Sequence, residues 1–303
     1  MRVIIITPAS PAHHKHLCAY LAERHDVVGV INPVGRMLNR HDRLEKARQA
    51  FSSFGVTYLA LRTLGARRNP LMGWNWIAAF EDAEARFFAD AELRYRRADI
   101  GSRTYSVEDV NGASTITLLR DLAPDAVVCL GGPIYREALV DVCGTMVNIH
   151  SGISPLYNGA STIMFAFANG HVHLCGGTLM TMSNVVDGGD ILAHYLPAIV
   201  EDDDPATLFM KTVRGACEAS SRFLKHLEAE GRFSKAPQHS PLFYCTSESW
   251  TVHQTQRVRL HLERRTAAKH IRSEDLRVYW DKRTDGEAAS EAKATVERLL
   301  GTD

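Results

Sequence analysis

The chain has 303 residues, 45% hydrophobic and 23% charged, the proportions of a globular protein with one large domain or one domain and an appendage. Lys plus Arg number 35 and Asp plus Glu number 35, so no net field draws it to nucleic acid or to an anionic membrane. No apolar run is long enough to cross a bilayer, and the opening MRVIIITPAS has neither the apolar core nor the cleavage site of a signal peptide. The six cysteines, Cys18, Cys129, Cys143, Cys175, Cys217 and Cys245, form no CxxC pair and read as buried reduced thiols. The expectation is a cytoplasmic protein with no nucleic-acid and no membrane partner.

In chain order, the β-branched run at 3–6 predicts a strand buried on both faces. After the polar loop TPASPAHHK, HLCAYLAER has helical spacing at Leu17, Tyr20 and Leu21, and 27–31 is a second buried strand. This β-α-β opening predicts a parallel sheet with a right-handed crossover. Residues 39–55 read as a basic helix or loop before a short strand at 56–59. WNWIAAFEDAEARFF places Trp76, Phe80, Ala83 and Phe87 on one helical stripe. That stripe predicts core packing or a dimer face, with a lid over a substrate as the alternative.

A helix within SVEDVNGASTITLLRDLAPD ends before Pro124, and 126–130 is a buried strand followed by Gly131-Gly132-Pro133. YREALVDV is a short helix and 145–149 the next strand. Further helices are predicted over 160–169 and 204–230, and further strands over 177–182 and 191–198. After Gly231 the composition turns to loop, with room for one strand, and then to charged, helical sequence. The chain therefore divides into residues 1–230 and a smaller, mainly helical extension, 231–303. Its end, DGEAASEAKATVERLLGTD, reads as a peripheral helix or a disordered tail.

An open parallel sheet presents ligands at the carboxyl ends of its strands. The loop after the first strand, Gly131-Gly132-Pro133 and the stretch MVNIHSGISPLYNG all fall there. Residues two apart on a strand point to one side, so Asn148 and His150 can converge on one point. An Asn amide and a protonated His suit an oxygen that gains negative charge, as in acyl transfer through a tetrahedral intermediate. In NVVDGGDIL, Asp187 sits between apolar residues and a Gly-Gly turn; a carboxylate near His150 would orient the ring and favour its imidazolium form. Taken singly, an Asn-x-His pair is more often structural and an Asp-Gly-Gly-Asp stretch more often a turn. His13, His14 and His16 lack metal-ligand spacing, and no metal is expected. Ser10, His13, His14 and Lys15, near a helix start, suit a phosphate or carboxylate of a substrate, with solvated surface as the equal alternative.

Taken together, NIHSGISPLYNGA and VVDGGDIL make the sequence resemble the 10-formyltetrahydrofolate-dependent formyltransferases. That group includes the glycinamide ribonucleotide, methionyl-tRNA and sugar-nucleotide enzymes. The order and separation of the two motifs agree, and the resemblance runs over roughly residues 1–227. It implies an α/β fold with a Rossmann-like, mostly parallel sheet, residues 1–230 as the catalytic domain, and 10-formyltetrahydrofolate as formyl donor. It gives Asn148 the role of donating to the formyl oxygen and His150 that of stabilising the oxyanion. Asp187 sets the position and charge of His150 and orders a water that helps deprotonate the amine. The family's pterin pocket lies between two loops that match 129–134 and 183–187. Cys129, Leu130, Gly131, Ile134, Ser183, Val185 and Val186 are then the donor-binding candidates, largely through main-chain groups, and Ser10, His13, His14 and Tyr157 the acceptor-side ones. Direct attack needs neither a metal nor a covalent intermediate.

The departures from the family narrow the acceptor. TPASPAHH lacks the Gly-rich phosphate loop of the glycinamide ribonucleotide enzymes, and the tail has too few predicted strands for the C-terminal barrel of the methionyl-tRNA enzymes. The expected acceptor is a small-molecule amine: an amino sugar on a nucleotide, an amino acid or a natural-product amine of specialised metabolism. A hydrolase releasing formate from the same donor and a non-catalytic folate-binding module are the alternatives. The region 231–303 is a candidate for an active-site cover or a homodimer face.

Overall fold

The run of β-branched residues at Arg2–Ile6 forms β1 in the computed structural model, which describes residues 1–34, 56, 57, 60 and 74–301. Val3, Ile4, Ile5 and Ile6 are fully buried, as a parallel strand covered on both faces must be. Helix α1 (Ala12–Ala22) leads to β2 (Asp26–Pro33), and α2 (Trp76–Phe87) and α3 (Ala91–Arg97) precede β3 (Thr104–Val107). Then come α4 (Ala113–Leu122), β4 (Ala126–Leu130), α5 (Glu137–Val140) and β5 (Thr145–His150). A short strand, β6 (Tyr157–Gly159), and α6 (Thr162–Ala168) follow, then the hairpin of β7 (Gly177–Thr181) and β8 (Ile191–Leu196). The long α7 (Pro205–Glu230) precedes β9 (Phe243–Cys245), α8 (Val252–Glu263), β10 (Asp275–Val278) and α9 (Asp285–Leu300).

Eight strands form one sheet in the order β10-β8-β7-β5-β4-β1-β2-β3. From β3 to β5 every pairing is parallel, and from β5 to β10 every pairing is antiparallel. β5 therefore sits at the change of strand direction, flanked by β4 and β7. β6 and β9 make a separate parallel pair. Helix α7 starts where the Asp204 carboxylate accepts the Thr207 N–H at 2.7 Å, with Pro205 in its first turn. It ends at Gly231, whose φ of 65° lies in the left-handed region. The aromatic stripe of α2 docks on α7: Phe80 lies 5.4 Å from Phe209, ring to ring, and Ala83 is fully buried. Among the described residues no helix is long and apolar enough to cross a membrane.

Two strands of the eight-stranded sheet are absent from the sequence reading. β3 and β10 are both four-residue edge strands, only partly buried, so neither carries the apolar run that marks a central strand. β10 ties the segment after Gly231 to the sheet. Trp280 enters the main core against Phe223, 5.6 Å away, and the Tyr279 hydroxyl lies 2.9 Å from His194 Nδ1. The expected basic segment 39–55 and residues 58–59 of the expected strand lie outside the described residues; Val56 and Thr57 are helical.

His194 is fully buried, with Nε2 2.7 Å from the Ser154 carbonyl. The carbonyl only accepts, so Nε2 carries the proton and Nδ1 accepts from the Tyr279 hydroxyl. Burial pulls this imidazole from its ordinary 6.5 down to about 4. Burial, followed by the nearby Arg94 charge, does the same to His16. Both rings take up a proton near 6.5 when unfolded, but only near 4 when folded. The stability they support is complete above about pH 6.5 and is lost as pH falls from there toward 4. Urea midpoints measured across this window are expected to fall steadily with acidification, less steeply in His194→Gln. A midpoint unchanged down to pH 4.5 would refute this.

Candidate active site

On β5, Asn148 and His150 share a face because strand residues alternate. The strand is held on both sides, Asn148 lying opposite Cys129 of β4 and Met180 of β7. His150 is buried. Its Nε2 lies 3.0 Å from the Tyr157 carbonyl oxygen, and its Nδ1 lies 3.3 Å from Asp187 Oδ1. Only the Nε2 contact has hydrogen-bond geometry; the Asp187 contact is a charge contact that a protonated ring would make. The Asn148 amide donates to the same Asp187 Oδ1 at 3.4 Å. One carboxylate oxygen thus collects the two side chains of β5.

Asp187 lies in the loop that closes the β7–β8 hairpin and folds back over this face of β5. Its φ of 51° is left-handed, a conformation that Asp and Asn adopt more readily than most residues. Its second oxygen, Oδ2, accepts the Gly159 N–H at 2.8 Å. Its carbonyl accepts from Asn158 Nδ2 at 2.9 Å and from Gln238 Nε2 at 2.8 Å. Asn158 also donates to Gln238 Oε1 at 3.2 Å, and Gln238 Nε2 donates to the Gly189 carbonyl. Asn158 and Gln238 were not singled out in the sequence. Asn158 was in view, inside the NIHSGISPLYNGA stretch. Gln238 stands in a loop with no motif, and only the tertiary fold brings it to Asp187.

The donor-binding candidates divide by exposure. Cys129 and Leu130 are buried in the core, so they offer only main-chain groups; burial raises the Cys129 thiol far above its ordinary value. The Leu130 carbonyl already accepts from the Thr7 hydroxyl at 2.8 Å. Gly131 has a φ of 66°, and beyond it Ile134 is 65% exposed. On the other loop Val185 and Val186 are exposed, and the Ser183 hydroxyl braces the turn by donating to the Val185 carbonyl at 2.9 Å. These loops follow β4 and β7, the two neighbours of β5. The buried Asn158 Oδ1 has no hydrogen-bond partner among the described residues.

A cleft of about 640 Å³ reaches the end of β5 at Ser151, though none of the trio lines it. Ser10 and His13 line it, as does Ser151, the residue after His150. The other two acceptor-side candidates are turned away. His14 is buried and bonded to the Thr7 hydroxyl, and burial with the neighbouring His13 holds its ring well below its ordinary value, so it is no anion ligand. The Tyr157 ring is stacked on Phe243 at 4.7 Å with its hydroxyl 2.7 Å from His171 Nδ1, so this residue reaches the site only through its carbonyl. The expected anion site at the start of α1 is also filled from within. Glu84 accepts the His13 N–H at 3.1 Å and pairs with the His13 ring, while Lys15 is tied to Glu92 at 2.6 Å. Burial pushes the Glu84 carboxyl up, but the His13 ring and backbone N–H outweigh it and hold the group below its usual range.

Residues 92–222 match the formyl transferase family. A methionyl-tRNA formyltransferase of Streptococcus mutans is 31% identical over 112 residues, 37% of this chain and 36% of that protein. One from Streptococcus uberis is 32% identical over 108 residues, 35% of this chain and 34% of that protein. The chain thus matches about a third of the length of these curated relatives. In fold it resembles the crystal structure of phosphoribosylglycinamide formyltransferase from Anaplasma phagocytophilum. The TM-score is 0.50 at 17% identity, over 77% of this chain and 89% of that one. The stretch that matches this family, residues 92–222, is the one that holds Asn148, His150 and Asp187.

Proposed function

We propose that this protein is an N-formyltransferase that moves the formyl group of 10-formyltetrahydrofolate to the amine of a small molecule. The observation that carries this reading is the convergence of Asn148 and His150 on Asp187 Oδ1, at 3.4 and 3.3 Å, with a cleft that reaches the next residue of the chain, Ser151. The donor's heterocycle fits the residues present. Ile134, Val185 and Val186 supply exposed apolar surface on the two loops flanking β5, and Asn158 Oδ1 is a buried acceptor in want of an N–H.

The donor supplies an activated carbonyl carbon. Asn148 and the imidazolium of His150 donate to its oxygen as negative charge develops there. Asp187 holds the ring in place and orders a water that takes the proton of the attacking amine. The new bond joins that amine nitrogen to the formyl carbon. The bond from the formyl carbon to the donor nitrogen breaks, and His150 returns a proton to that nitrogen. The segment after Gly231 serves the site through Gln238, which clamps the Asp187 loop.

Two substitutions test the scaffold. A Cβ on Gly152 would lie 2.3 Å from the Tyr157 carbonyl oxygen and 2.6 Å from His150 Nε2. Gly152→Ala is therefore expected to displace the ring and lower kcat by about a hundredfold. Gln238→Ala removes the donor to the Asp187 and Gly189 carbonyls. It is expected to lower kcat about tenfold with the KM for the donor unchanged, near the net worth of one hydrogen bond. Steady-state kinetics with circular dichroism on each variant decides both, and wild-type turnover in either would remove its assigned role.

The reading itself is tested with donor carrying a ¹³C-formyl group, incubated with a panel of primary amines and followed by mass spectrometry. Labelled formamide supports transfer. Labelled formate released without any amine, as fast as the best transfer, would replace it with hydrolysis. Donor binding with no turnover for any amine would replace it with a binding module.

A further inference from the structure

The cleft beside Ser151 has a character of its own. Trp76, Phe80 and Phe209 form a continuous aromatic wall, Phe80 lying 5.1 Å from Trp76 and 5.4 Å from Phe209. At about 640 Å³ it has the size of a small-molecule site. The charged residues in its wall besides His13 are Glu81 and Glu84. Glu84 already occupies the N-terminus of α1, the feature that would otherwise attract a phosphate. An anion entering here would meet two carboxylates, and among the described residues no Lys or Arg lines the cleft. Ser10, His13, Trp76, Phe80, Glu81 and Glu84 lie outside the segment matched by the family, while Phe209 and Ser151 lie within it.

We infer that the acceptor is an amine on an apolar, ring-bearing body that carries no phosphate. Its reacting nitrogen sits at the Ser151 end, next to His150, its ring lies against Trp76, Phe80 and Phe209, and a hydroxyl or second cationic group faces Glu81. This inference rests on the formyltransferase reading and narrows its acceptor.

The test compares phenethylamine with a nucleotide-linked amino sugar as acceptors, each measured by calorimetric binding and by transfer of the labelled formyl group; donor binding is measured separately. The expected result is a kcat/KM about a hundredfold higher for phenethylamine, because the carboxylates repel the phosphates. Phe80→Ala is expected to raise the KM for phenethylamine about tenfold while leaving donor binding unchanged. Glu81→Lys, at an exposed position, is expected to narrow the preference. Equal or better transfer to the nucleotide-linked amine would overturn the inference and leave the formyltransferase reading standing. Failure of phenethylamine to bind would also overturn it. Loss of donor binding in the wild-type protein would instead sink the formyltransferase reading.

Discussion

His150→Ala is expected to lower kcat for formyl transfer by about 10²–10⁴-fold, the range typical of removing a positioned acid–base group. The ring stands between two acceptors, the Tyr157 carbonyl at 3.0 Å and Asp187 Oδ1 at 3.3 Å. In the proposed mechanism it is the charged one of the two donors that β5 aims at one point. That mechanism, without it, leaves Asn148 alone to face the oxyanion and no group to return a proton to the donor nitrogen. The fold should survive, because β5 keeps its pairing to β4 and β7. The buried Tyr157 carbonyl left without its partner costs roughly 1–3 kcal/mol of stability. The measurements are kcat, the KM for the donor and a thermal melt. A folded variant with near-wild-type kcat would strip His150 of its role.

Asp187→Asn is expected to cost about 10²–10³ in kcat, comparable to losing a group aimed at a transition-state charge. The substitution is chosen for its backbone as well as its charge. At φ 51° an Asn is tolerated where most residues are strained, so the loop is expected to keep its shape. The amide oxygen can still accept the Gly159 N–H, while the negative partner of His150 is gone. An amide N–H turned toward His150 Nδ1 would make that nitrogen an acceptor and leave the ring neutral. His150→Ala and Asp187→Asn act through one unit, so the double variant should lose little more than the worse single one. Losses that multiply independently would show that the two residues do separate work.

The core of this fold was readable because its central strands are nearly pure apolar runs. β1 and β4 are buried throughout, apart from Arg2, and a run of that kind has few other uses. β3 and β10 escaped because short edge strands bury little and have one free side. In the candidate site, the two-residue period put Asn148 and His150 on one face, but their proposed roles came from the family resemblance. Asp187 needed a second motif 37 positions on, read through a family resemblance. Side-chain direction was not legible. His14 and Tyr157 have the polarity of ligands, but one is turned into the core to bond Thr7 and the other to meet His171. Nor could sequence show that Glu84, far along the chain, fills the start of α1, or that Gln238 reaches the Asp187 loop from the segment after Gly231.

The central claim is that Asn148, His150 and Asp187 together move a formyl group to an amine. A single-turnover experiment tests it most directly. A ¹³C-formyl donor is mixed with excess enzyme and an accepted amine, and the labelled carbon is followed by NMR in the wild-type protein and in His150→Ala. The account predicts that the formyl resonance passes from the donor to a formamide within one turnover of the wild-type enzyme, while in the variant it stays on a bound donor. Equal rates of formamide appearance in the two proteins would contradict it.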